Sequence, residues 1–137
     1  MNTALIALQF ALASAPLLNP ASLPRPGEEV DVTAGAATAL SCATTARDQG
    51  DLGALTGCGY AEAQQDIVVY DVAEQQLYRL TGKLVFRWLL ESAVGGGSVD
   101  FVGKVTKADR KTGVVVVDVS ELNVTPRPKP GAFKGCL

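Results

Sequence analysis

Histidine is absent from this 137-residue chain. Its absence removes the commonest general base, the Ser-His and Cys-His nucleophile pairs, and the commonest transition-metal ligand. Cysteine is scarce: the chain has 3, at Cys42, Cys58 and Cys136. No two of them form a C-x-x-C, so zinc and haem spacings are missing. Charged residues are 19% of the chain, below the usual quarter. The net charge of −2 is not the basic footprint of a nucleic-acid binder that tracks phosphates. No apolar run reaches the roughly 20 residues of a membrane-spanning helix. These absences together predict a non-enzymatic chain with no metal, cofactor or nucleic-acid ligand and no transmembrane helix in its mature form.

What is present begins with MNTALIALQFALASAPLL. From Ala4 to Ala13 only Gln9 interrupts the apolar run. Its length is that of a signal-peptide core, and Ala11-Leu12-Ala13 offers an A-x-A cleavage site. Residues 1–13 are therefore read as a signal peptide and the protein as exported, periplasmic or extracellular. Export permits disulfides. Residues 14–29 form a proline-rich leader. Residues 30–52 are rich in Ala, Thr and Gly and weakly patterned, with one strand at Val30–Thr33 followed by a short helix or a second strand.

From Gly53 to the end the pattern sharpens into a barrel segment, 53–137, which includes a proline-rich connector at 125–131. GALTGCG reads as a glycine-tempered first strand. IVVYDVA is β-branched and aromatic, and LYRLTG alternates, so the two form a hairpin. KLVFRWLLESAV changes period. Lys83, Arg87 and Glu91 recur every four residues, which predicts a helix over 83–94 with an Arg87–Glu91 pair and with Trp88 facing the core beside Leu84. SVDFVGKVTKA and VVVVDVSELNV alternate as strands around the turn DRKTG. The order β-β-β-α-β-β matches a mainly β, five-stranded Greek-key barrel of OB type, whose helix lies between the third and fourth strands. The alternative architecture is an α+β roll.

Gly57-Cys58, a hairpin ending in Tyr78 and Leu80, and the series Gly96, Val99, Gly103, Val105 carry a further observation. Over residues 53–124 the chain resembles small exported bacterial proteins with OB-like barrels. The resemblance implies fold and compartment, and no activity.

The frame G-A-[LF]-x-G-C occurs twice, at 53–58 and 131–136. Three accounts are open. Cys58 and Cys136 meet at the two ends of one barrel; or Cys42 pairs with Cys58 and ties the weak segment down; or the second copy begins a further domain. Tyr60, Tyr70 and Tyr78, with Arg79, are the candidate ligand face, because tyrosines on strands of such a barrel can form a stacking platform. A protein, a peptide or a glycan is the partner class this face would take. The expected function is an exported binding module of unknown ligand. The alternative is a self-assembling structural protein of the cell surface or extracellular space, a homo-oligomer in which an unpaired sheet edge accepts a strand from another copy.

Overall fold

A computed structural model describes residues 23–58 and 66–129. It contains β1 (Glu29–Ala39), α1 (Leu40–Gln49), α2 (Gly53–Thr56), β2 (Ile67–Asp71), β3 (Gln76–Thr81), α3 (Arg87–Ala93), β4 (Ser98–Ala108) and β5 (Val114–Thr125). The strands close into a barrel in the order β1-β2-β3-β5-β4. β3 runs parallel to β5, and the other four pairings are antiparallel. The chain is thus a mainly β, OB-like barrel with one helix between its third and fourth strands.

The alternating strands fill the interior. Val69, Tyr78, Leu80, Val99, Phe101, Val105, Val115, Val117 and Val119 belong to one buried cluster. The rings of Tyr78 and Phe101 meet edge to face, with centroids 5.4 Å apart, a favoured aromatic geometry. Leu90 and Ala93 of α3, with Val94, join the same cluster, so the helix plugs one end of the barrel.

Closure demands bending. β1 pairs with β4 through Glu29–Gly35 and with β2 through Ala36–Ala39, and its register shifts between Val32 and Gly35. At this bulge Ala34 takes φ 59, and its N–H donates to Asp100 Oδ1 at 2.7 Å. A Cβ on Gly35 would lie 2.5 Å from Val69 Cγ1, and one on Gly103 would lie 2.5 Å from the carbonyl oxygen of Asp118. Both positions need glycine because two strands pass too closely for a side chain.

Several expectations are corrected here. The first barrel strand is Glu29–Ala39, not GALTGCG. The strand expected at Val30–Thr33 is present as the first half of β1, and a helix follows it at Leu40–Gln49. The second half of β1 gives no strand signal because its inward residues beyond the bulge are Gly35, Ala37 and Ala39, small enough for a tight corner but weakly apolar. GALT is instead one helical turn. The N–H of Gly53 donates to Asp51 Oδ1 and that of Ala54 to the Asp51 carbonyl. An aspartate two residues ahead has begun a turn, as such residues do. The observed order is β-α-α-β-β-α-β-β. The five strands and the helix between the third and fourth stand, with the first strand moved upstream and two helices between it and the second. The proline-rich leader is partly built into the fold: Gly27 N–H donates to Val105 O, and Val105 N–H donates to Glu28 O.

Cys58 is bonded to Cys42, with Cα atoms 6.0 Å apart. This overturns the Cys58–Cys136 pairing and selects the account that ties down the N-terminal segment. Cys136 and the second copy of the frame lie outside the described residues.

Candidate functional site

The β2–β3 hairpin holds two of the tyrosines proposed for a ligand face, and the pleat separates them. Tyr70 pairs with Leu77, while Tyr78 pairs with Val69. Side chains one residue out of phase point to opposite faces. Tyr78 enters the barrel and is 5% exposed. Tyr70 faces outward, yet it is only 1% exposed. It lies in a second cluster with Val68, Leu77 and Val114, beneath Ala43, Ala46 and Leu55 of α1 and α2. Neither ring can stack on a ligand from solution. Tyr60 lies outside the described residues. Arg79 donates to Asp66 Oδ2 at 2.7 Å, a half-exposed pair that contributes about 1 kcal/mol or less.

Barrels of this type commonly bind ligands on the outer β2–β3 face, framed by the β1–β2 and β4–β5 connections. Here the chain covers that face itself. Small residues let α1 approach the sheet, and the Cys42–Cys58 bond anchors it to the end of α2. Arg47 Nη1 donates to the Thr112 carbonyl in the β4–β5 turn at 2.8 Å, so the two framing connections are joined. An open cleft of about 540 Å³ remains beside the disulfide, lined by Ser41, Thr45, Asp51 and Gly57 among others.

Burial has a consequence for Tyr78. Its phenol is pushed up to about 12, first by burial and then by Asp71, Glu74 and Glu28. A tyrosine in the unfolded chain ionises near 10. The folded state therefore keeps a proton that the unfolded state has lost between these values. The associated stability is intact below about pH 10 and falls as pH rises toward 12, by about 2 kcal/mol in all. Denaturant melts at about pH 9 and pH 11.5 should show a steeper alkaline loss in the native sequence than in Tyr78→Phe. Equal slopes would show that Tyr78 is not the group responsible.

Large apolar side chains meet solvent singly at Leu52 and Val72, and together in one stretch of the chain. Leu84, Phe86 and Trp88 are 45%, 52% and 66% exposed. The rings of Phe86 and Trp88 stack with centroids 6.2 Å apart. This corrects the placement of Trp88 in the core, and the cause is the helix start. α3 begins at Arg87, not Lys83, because its N-cap Phe86 is extended, with φ −111° and ψ 135°. Leu84 and Phe86 thus lie on an approach segment, and Trp88 points outward from the first turn. The expected Arg87–Glu91 pair is present at 3.0 Å. Trp88→Ala is expected to change unfolding free energy by about 0.5 kcal/mol or less, whereas a core tryptophan would cost about 3–5 kcal/mol. A urea melt of the variant decides between these placements.

The C-terminal connector packs on the other end of α3, at its last turn. Arg127 donates its backbone N–H to Ser92 O at 2.9 Å and Nη1 to Glu91 O at 3.0 Å. Favourable cation placement at a helix C-terminus explains the contact. Lys83, Arg87, Arg127 and Lys129 are all exposed around α3.

No His/Cys/Asp/Glu grouping suited to a metal occurs among the described residues, and no helix there is long and apolar enough to cross a membrane. The chain matches no family model, no curated protein and no solved structure.

Proposed function

We propose that this protein is an exported, non-enzymatic binding module that engages its partner through Leu84, Phe86 and Trp88. The observation that carries the reading is the exposure of these three large apolar side chains, two of them stacked, on the rigid plugged end of a closed barrel. Contiguous exposed apolar surface marks interaction sites more often than scattered single residues do. The site therefore moves from Tyr60, Tyr70, Tyr78 and Arg79 to the α3 approach. Export and kinship with small exported bacterial barrels are part of the same proposal. The apolar segment before Ser14 supports export, and the Cys42–Cys58 bond fits an oxidising compartment.

Strand exchange between copies is less favoured. Every described strand has two neighbours in the closed barrel, so none is an edge strand along its whole length. One-sided stretches such as Glu29–Gly35 of β1 and Val119–Thr125 of β5 are short, and each is held by β4. Photo-crosslinking in the producing cell tests the docking reading. A benzoylphenylalanine at position 86 is expected to form adducts that the same group at exposed position 111 does not. Equal labelling at the two positions would sink the proposal.

A further inference from the structure

The chemistry around the patch narrows the partner. Residues 83–90 read KLVFRWLL and contain no acidic side chain. Lys83 and Arg87 alternate with the exposed Leu84, Phe86 and Trp88. Arg127 and Lys129, from the connector, add positive charge at the far end of the same short helix, where Arg127 caps the carbonyls of Glu91 and Ser92. Within 83–90 both charged side chains are basic, in a chain whose net charge is −2. Arg87 also pairs with Glu91 at 3.0 Å, and Asp118 lies beside Gly82. An aromatic and aliphatic cluster interleaved with Lys and Arg is the composition that settles in the headgroup region of a bilayer. The indole and phenyl rings occupy the boundary, and long basic side chains reach back to anionic headgroups.

Resting on the docking reading above, we infer that the partner is an anionic lipid surface. Leu84, Phe86 and Trp88 insert at the headgroup boundary, and Lys83 and Arg87 hold the phosphates. The barrel then sits on the membrane by its plugged end, with no segment crossing the bilayer.

The chain has 1 tryptophan, so its emission reports on this patch alone. The full protein is titrated with vesicles of phosphatidylcholine containing phosphatidylglycerol, and with phosphatidylcholine alone. The anionic vesicles are expected to shift Trp88 emission to the blue and to allow quenching by lipids brominated near the headgroup. Phosphatidylcholine alone should do neither at the same concentration. Lys83→Gln/Arg87→Gln should weaken binding about thirtyfold, taking two basic contacts with an anionic surface. Phe86→Ser should weaken binding while leaving the thermal melt unchanged. Attachment through the apolar N-terminal segment would sediment the protein with vesicles but leave Trp88 emission in place, and would overturn the inference. An equal shift on neutral vesicles, or no shift on either kind, also overturns it. So does a blue shift produced by concentrating the protein without lipid, which would assign the patch to a second copy. If the lipid test fails while position 86 still crosslinks to a protein, the docking reading stands and only its lipid partner falls. If both fail, the patch has no docking role.

Discussion

Gly103→Val is expected to prevent the barrel from closing. A Cβ at this position would lie 2.5 Å from both the Asp118 carbonyl oxygen and Val117 Cγ1. The first of these atoms is backbone, held in the β4–β5 ladder, so it cannot swing aside as a side chain would. The register shift between Val102 and Gly103 shows that β4 already bends here to reach its partner. Overpacking in a core typically costs about 1–3 kcal/mol when side chains can yield. A clash with the ladder itself should exceed that, and a barrel of this size has only about 5–15 kcal/mol to lose. Gly103→Ala should be damaging and Gly103→Val worse, in circular dichroism and in denaturant midpoint alike. A valine variant that melts like the native protein would show that β4 and β5 do not approach this closely.

Removing the disulfide is the second large effect. Cys42 and Cys58 are 16 residues apart. On the chain-entropy account, closing a loop of about 15 residues contributes about 3 kcal/mol. The loss in Cys42→Ser/Cys58→Ser should not be uniform. α1 and α2 hold the sheet through Ala43, Ala46 and Leu55, a thin apolar contact that cannot order a ten-residue helix without help. The disulfide is the layer's link to the barrel interior, where Cys58 is buried and Cys42 packs against the same cluster. Hydrogen exchange should therefore quicken first in α1 and α2, while β4 and β5 keep their protection. Uniform loss across the chain would show that the layer and the barrel are one cooperative unit.

Legibility in the sequence followed side-chain size. β4 and β5 were readable because Val99, Phe101, Val105 and Val115, Val117, Val119 alternate with polar residues, and the pleat requires that alternation when one face is buried. The hairpin of β2 and β3 was readable for the same reason. Only the first half of β1, Val30–Thr33, is legible, since the corner of a closed barrel selects Gly and Ala beyond it and so erases the contrast that reveals a strand. The repeated glycine-cysteine frame misled because Gly and Cys serve turns and disulfides as readily as strands. Trp88 misled because the polar spacing of Lys83, Arg87 and Glu91 extended the helix one turn too early. Tyr70 and Tyr78 lie on the strands their alternation predicts, but the covering layer built from residues 40–56 leaves little trace in a segment so poor in large apolar side chains. The exposed patch had a usable signal in the alternation of Lys83, Leu84, Phe86, Arg87 and Trp88.

The pairing of the first strand with the fourth sets a timetable for synthesis. Val30 and Val32 lie opposite Gly103 and Phe101, so β1 leaves the ribosome well before the partner that covers one of its edges. At about 5–20 residues per second, that interval is several seconds. Throughout it the nascent chain carries an unpaired edge and the unfilled inner faces of β2 and β3, which contacts so distant in sequence cannot close early. The newborn protein thus exposes apolar surface and an open edge until β4 and β5 appear, and any stalled product ending before Val99 would have no barrel to fold into.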